Sequence, residues 1–250
     1  MSPEDQPRAM SSENLPRAPR PPGRSNARTP RQRRQRALSQ DAIVDAALAI
    51  VDREGLDALT MRTVAHALGT GPASLYAYVG SKEELVELVV ERVIGEVRIG
   101  GEPDPARWSD QLKETAREMR RVFASHGDLA RASFGRIPVG ENALRGGEWM
   151  MAVMRAGGLS DRVTALSVDL LSLYVMGVAY EDGLSRGTEP EQIVEFIAQL
   201  RAYFESLPPD RFPNFVSLAE EATGGDQDSR FEFGLEVLVR GLKAVSEQER

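Results

Sequence analysis

The stretch from Thr60 to Val79 constrains the fold more than any other part of this 250-residue chain. Thr60 is a capping residue type placed directly before Met61, and Val64, Ala65 and Leu68 then share one helical face until Gly69 stops the run. Thr70 and Gly71 leave room for a tight turn, and Pro72 suits the first position of a second short helix that Ala73 to Val79 complete. Two short helices joined by a three-residue turn containing glycine have the geometry of a helix-turn-helix, whose second helix enters the DNA major groove.

The flanking sequence continues the helical pattern. Ser39 looks like an N-cap, and Ile43, Ala46, Ala47, Ile50 and Val51 recur at helical spacing until Gly55. Ser81 opens a longer helix with Leu85, Leu88, Val89 and Val93 on its apolar face. Gly100, Gly101, Pro103 and Pro105 then punctuate the chain. Beyond them the pattern predicts helices near 106–125, 141–156, 160–186, 190–206 and 229–246, with no convincing strand alternation. The expected fold class is all-α: an N-terminal three-helix helix-turn-helix domain plus a helical ligand-binding and dimerisation domain. The expected division is a disordered basic arm over 1–37, the helix-turn-helix over 38–83, a connecting helix over 84–102 and the effector-binding and dimerisation domain over 103–250.

The net charge of −7 argues against a nucleic-acid partner until its distribution is seen. Residues 1–38 hold nine arginines against Glu4, Asp5 and Glu13, a balance of +6, which leaves −13 for the rest. The arm is rich in Pro, Arg, Ser and Gln and nearly devoid of large apolar side chains, so it reads as disordered. Its basic cluster, including Arg33, Arg34 and Arg36, is either a DNA-tracking segment or a solubilising tail. Residues 39–82 carry Arg53, Arg62 and Lys82 against Asp41, Asp45, Asp52, Glu54 and Asp57, or −2, which favours the first alternative. There is no cysteine, and the two histidines stand 60 positions apart, so most routes to enzymatic catalysis or a metal site are missing. Gly69 and Gly71 begin a dinucleotide-like fingerprint, but Ser74 stands where the third glycine belongs and a helix precedes it. The longest near-continuous apolar run, about Leu170 to Tyr180, is broken by Ser172 and shorter than the roughly 20 residues of a membrane span. The expectation is a cytoplasmic protein that is not an enzyme, with no membrane partner, no cofactor and no metal.

From Leu38 to Glu96 the sequence closely resembles the DNA-binding domain of the tetracycline-repressor (TetR) family. The resemblance is carried by Gly55-Leu56-Asp57-Ala58-Leu59-Thr60-Met61-Arg62, Val64-Ala65 with Leu68-Gly69, Ser74-Leu75-Tyr76-Ala77-Tyr78-Val79 and Lys82-Glu83-Glu84-Leu85. It implies a ligand-responsive transcriptional regulator, a repressor by family expectation, that binds palindromic double-stranded operator DNA as a homodimer and is released by a small-molecule inducer. It also implies that Thr60 and Arg62 touch the DNA backbone. Thr70, Gly71, Pro72, Ala73, Ser74, Tyr76, Ala77 and Tyr78 form the turn and recognition helix, and Lys82 grips phosphate at a helix N-terminus. Ser74 can hydrogen-bond a base edge or phosphate, Ala73 and Ala77 can pack on thymine methyls, and each tyrosine either reaches DNA or packs between helices.

The region after residue 105 resembles the family's tetracycline-repressor branch, through Arg120-Arg121-Val122-Phe123-Ala124-Ser125-His126-Gly127-Asp128 and the segment Phe231 to Leu242. The resemblance implies a four-helix dimer interface built from about 162–186 and 229–245 of each subunit. Leu171, Val175, Val178, Phe231, Leu235, Leu238 and Leu242 supply its apolar face, although each could equally be ordinary core. Phe123, Trp149, Met150, Met151, Met154, Tyr174 and Met176 are residue types that line adaptable pockets for an apolar or aromatic inducer, and they are also routine core residues. His126 falls where the family's namesake has a histidine that helps bind a metal-chelated drug. It also ends a helix just before Gly127, where an imidazole is favourable for structural reasons alone.

Overall fold

A computed structural model describes residues 38–127 and 129–249. The basic arm, with Arg33, Arg34 and Arg36, lies outside the described residues. The chain forms α1 (Gln40–Glu54), α2 (Met61–Ala67), α3 (Pro72–Leu75), α4 (Lys82–Ile94), α5 (Trp108–Ala124), α6 (Ala130–Ser133), α7 (Glu141–Ala156), α8 (Asp161–Ser185), α9 (Pro190–Glu205), α10 (Pro213–Ser217), α11 (Ala219–Thr223) and α12 (Gln227–Gln248). A single 3₁₀ turn, Leu56–Ala58, joins α1 to α2, and no strand occurs among the described residues.

By contact the described residues fall into two units, one of 38–186 with 231–249 and one of 187–230. In the first, α1 buries Ile43, Ala47, Ile50 and Val51, and α4 buries Leu85, Val89, Val90 and Val93. These are the stripes that 3.6-residue periodicity puts on one side of each helix. Leu59, Val64, Leu75 and Val79 complete the core around the short helices, each 0 or 1% exposed. The regulatory helices α5, α7, α8 and the C-terminal part of α12 pack around Leu112, Phe123, Met154, Leu171, Val175 and Leu235. Arg120 and Asp182 make a bidentate ion pair between α5 and α8, 13% and 15% exposed. In the second unit, α9 packs with α10 and α11 through Phe204 and Phe215, 5.0 Å between ring centroids, and Arg201 donates to the Thr223 hydroxyl at 3.0 Å.

Helix α8, at 25 residues, is long and apolar enough by length and composition to cross a membrane. Counting uninterrupted apolar runs concealed this, because Ser172 and the small residues interrupt a run without making a helix polar. Here Val163, Leu171, Val175 and Ala179 of α8 are buried in helix packing against α5, α6 and α7.

Candidate functional site

Local chemistry explains why two such short helices form between α1 and α4. Thr60 and Thr63 make a reciprocal cap: the Thr60 hydroxyl accepts from the Thr63 amide at 3.0 Å, and the Thr63 hydroxyl accepts from the Thr60 amide at 2.9 Å. The α2 end is closed by Gly69 at φ +68, with Thr70 N–H donating to the Ala65 carbonyl at 3.0 Å and Gly69 N–H to His66 at 3.1 Å. That is the paired C-terminal bonding of a Schellman motif, which needs a left-handed residue at Gly69. Pro72 then occupies the first turn of α3 with Gly71 as its N-cap.

Helix α3 is one turn, shorter than the expected run to Val79. Tyr76, Ala77 and Tyr78 form a following turn closed by bonds from Tyr78 and Val79 amides to the Leu75 carbonyl at 2.9 and 3.0 Å. Leu75 and Val79 are the anchors, 0% and 1% exposed, and their inward direction turns every other residue outward. Gly71, Pro72, Ala73, Ser74, Tyr76, Ala77 and Tyr78 are all exposed, as is Arg62, while Thr70 and Lys82 are half-buried. Both tyrosines therefore face solvent, at 54% and 42% exposure, and neither packs between helices. Thr60 is half-buried with its hydroxyl engaged in the cap, so its first task is to start α2.

Acidic residues flank this segment rather than fall within it, with Glu83 and Glu84 opening α4 and the Glu84 carboxylate accepting from the Gly80 amide at 2.7 Å. Residues 58–82 contain no Asp or Glu, while Arg62, His66 and Lys82 lie within them. The five acidic residues of 39–82 sit earlier, and each has a cation beside it. Arg92 holds Asp41 and Asp45 at 2.6 Å each, Arg131 holds Asp57 at 2.6 Å, His126 meets Asp52 at 3.0 Å and Arg53 holds Glu54 at 2.7 Å. Exposed pairs of this kind contribute little stability, but they fix where negative charge is not.

In the regulatory helices the proposed pocket residues are packed in the core or hydrogen-bonded to the backbone. Phe123, Met150 and Met154 are core, 1%, 7% and 0% exposed. Tyr174 stacks on Phe231 at 5.6 Å and donates to its carbonyl at 2.8 Å, and Trp149 Nε1 donates to the Gly101 carbonyl at 2.8 Å. Among the described residues, a groove of about 420 Å³ lies between α7 and α8, lined by Glu148, Met151, Ala152, Arg155, Asp161, Thr164 and Ala165. Met151, Ala152 and Ala165 give it apolar walls, and the ion pair of Arg155 with Asp161, at 2.7 Å, sits at its edge. Thr164 is 2% exposed, and its hydroxyl has no hydrogen-bond partner among the described residues. Such a group gains from a ligand that supplies one.

His126 is neither in that groove nor in a metal-holding cluster, and no grouping of His, Asp and Glu among the described residues could hold a metal. It bridges the reader to the regulatory body, with Nδ1 3.0 Å from Asp52 of α1 and Nε2 3.1 Å from Glu96 after α4. The Asp52 carboxylate, aided by Glu96, raises the imidazole above its usual range against the opposing effect of burial. Gly127 beside it takes φ +63 and passes the Val51 carbonyl, where an added Cβ would lie at 3.2 Å.

The residues chosen for the dimer face divide by burial. Leu171, Val175, Phe231, Leu235 and Leu242 are in the protomer's own core at 7% exposure or less, and Val178 and Leu238 are half-buried. The opposite faces of the same helices carry Leu166, Leu170, Leu173, Phe233, Val237 and Val245, exposed between 44% and 74%. Because α8 is apolar almost all round, its sequence pattern could not say which face turns inward.

A two-helix reader presented outward from an all-helical body defines the class: a helix-turn-helix DNA-binding regulator. Residues 43–89 match the family described as bacterial regulatory proteins, tetR family, and residues 102–246 match the tetracyclin repressor-like C-terminal domain. The chain is 33% identical over 232 residues to the HTH-type transcriptional repressor DrrR1 of Streptomyces coeruleorubidus, covering 91% of this chain and 84% of that protein. Apo ActR from Streptomyces coelicolor matches with a TM-score of 0.76 at 46% identity, over 85% of this chain and 98% of that one. ActR in complex with actinorhodin matches with a TM-score of 0.78 at 46% identity, over 85% and 99%. The chain belongs to the TetR family.

Two measurements check this geometry. Gly71 has φ −86 and ψ 151, and a Cβ there meets nothing within 4 Å. Gly71→Ala should therefore leave Tm unchanged while weakening DNA binding, as read by calorimetry and fluorescence anisotropy, because only an approaching DNA backbone needs that space. For His126, a folded pKa above the unfolded value of about 6.5 means its contribution is complete below that pH and lost as pH rises through the raised value. The Tm deficit of His126→Gln relative to wild type should be wide at about pH 5.5 and narrow by about pH 8.5.

Proposed function

We propose that this chain is a dimeric transcriptional repressor whose paired α3 segments read two half-sites of a palindromic operator and whose α7–α8 groove takes the inducer. The observation that carries the reading is the outward-facing segment from Gly71 to Tyr78, anchored from beneath by Leu75 and Val79 and lying in a stretch, 58–82, with no acidic residue. Anionic DNA favours a surface where Arg62 and Lys82 meet phosphate, Ser74 and the tyrosine hydroxyls donate, and Ala73 and Ala77 fit against methyl groups. Thr70 amide and side chain, Gly71 and Pro72 set the height at which α3 enters the groove. The arginine cluster at 33, 34 and 36 immediately precedes this unit in sequence and adds phosphate contacts.

Two-fold half-sites call for a two-fold protein, and the exposed stripes of α8 and α12 are its pairing surface. Leu166, Leu170 and Leu173 on α8, with Phe233 and Val237 on α12, are large apolar side chains left between 44% and 74% exposed, as a surface awaiting a partner would leave them. The groove suits a small apolar or aromatic molecule with a polar group for Thr164, and the ActR complex supports actinorhodin as the first compound to try. Binding releases DNA by favouring a dimer in which the two α3 segments no longer match the half-site spacing.

The purified chain should bind a duplex from its own upstream region at two protomers per site, and actinorhodin should dissociate the complex in a fluorescence anisotropy titration. A complex indifferent to actinorhodin removes that ligand class, and absence of any specific duplex among palindromic upstream sequences removes the repressor reading. Val237→Glu should give a monomer by analytical ultracentrifugation with unchanged helicity and at least about tenfold weaker DNA binding, since a charge in an apolar interface is costly while one in solvent is not.

A further inference from the structure

Helix α7 begins without a cap of its own. Its N-cap is Gly140, which has no side chain to satisfy the first free amides of the helix. The acceptor comes from α4: Glu91 Oε1 accepts from the Asn142 amide at 2.5 Å, and Oε2 accepts from the Ala143 amide at 3.3 Å. The Glu91 carbonyl also accepts from Asn142 Nδ2 at 3.2 Å. Four residues earlier on α4, Glu87 accepts from Arg136 at 2.9 Å, so two carboxylates on one side of α4 hold the segment that leads into α7.

Two glycines have their explanation in this joint. Gly140 and Gly95 have φ of −69 and −63, which any residue adopts. A Cβ at Gly140 would lie 2.2 Å from Glu91 Cδ, and one at Gly95 would lie 2.7 Å from Asn142 Nδ2. Either contact would push aside the side-chain end that makes this cap, the Glu91 carboxylate or the Asn142 amide. The close approach itself, not backbone freedom, requires the missing side chains.

The joined helices are the two that matter. Further along α7, Glu148, Met151, Ala152 and Arg155 line the groove, and α4 starts at Lys82, directly after the recognition segment. We propose that Glu91 is the coupling residue between groove and reader: it caps the groove helix from the helix that carries the DNA-binding unit. The inference rests on the α7–α8 groove being the inducer site. A carboxylate on a helix N-terminus is held both by the free amides and by the helix dipole. Rotation or translation of α7 therefore draws α4 with it or breaks the cap. Glu91 touches neither DNA nor the groove lining, so it is a positioning residue.

The test is a double-mutant cycle in the full chain, read as binding to its upstream duplex, with a bulky side chain in the groove standing in for a ligand. Ala152→Phe should weaken DNA binding by about tenfold, within the usual range of coupling between two sites. Glu91→Gln keeps the size of the side chain and removes its charge. Alone it should bind the duplex within about twofold of wild type, and in its background the effect of Ala152→Phe should fall below about threefold. If the tenfold effect persists in the Glu91→Gln background while Tm falls, Glu91 only stabilises and the proposal is overturned. If Ala152→Phe and Ala165→Phe both fold, by circular dichroism, and both leave wild-type DNA binding intact, the groove reading fails and takes the coupling with it. Should Ala152→Phe not fold, Ala165→Phe completes the same cycle.

Discussion

The packing of α4 is the constraint on which the rest depends. A helix of 13 residues has one apolar stripe, and Leu85, Val86, Val89, Val90 and Val93 commit that stripe to burial. Helix α4 meets α1 on the reader side and α5, α6 and α7 on the regulatory side. What its apolar face does not fix, its polar edge does, through Arg92 to Asp41 and Asp45, Glu87 to Arg136, and Glu91 to the start of α7. The reader and regulatory helices 5–8 consequently share one core, and a change in the body has a solid element through which to reach α3.

Charge placement follows from the same arrangement. The acidic residues of α1 and the following turn face basic side chains supplied by α4 and by the segment from His126 to Arg131, while no acidic residue falls between 58 and 82. The average charge of the reader, −2 over residues 39–82, therefore says little about what DNA meets. Its negative side serves as glue to the regulatory body, and the acids that follow the recognition segment, Glu83 and Glu84, belong to the start of α4. The need for the arginine arm in DNA affinity is correspondingly smaller than the net charge alone suggests.

Much of the fold was legible because helix starts announce themselves chemically. Ser39, Thr60 and Ser81 each cap the helix expected to follow them, with the side chain accepting from an amide three residues on. The short α6, α10 and α11 were not legible, since four or five residues carry no periodicity to read. The helix at the recognition segment is shorter than its sequence suggests, and the fixed anchors Leu75 and Val79 explain why its remaining residues face out. Of the methionines read as pocket-lining, Met150 and Met154 turn inward, whereas Met151, about 100° round the same helix, lines the α7–α8 groove. Periodicity gives the faces of a helix but not their partners when both faces are apolar, and the same ambiguity hid which face of α8 turns into the protomer core. His126 finds Asp52 across 74 positions, a pairing no local pattern announces.

Native-state hydrogen exchange tests the central claim, that reader and regulatory body share one cooperative core through α4, most directly. Amides of α1, α4, α5 and α8 should open with the same free energy and the same denaturant dependence, because the unit formed by 38–186 and 231–249 unfolds together. Exchange of α1 and α4 through a separate, lower-energy opening, with α5 and α8 still protected, would contradict it and make the reader an independent domain.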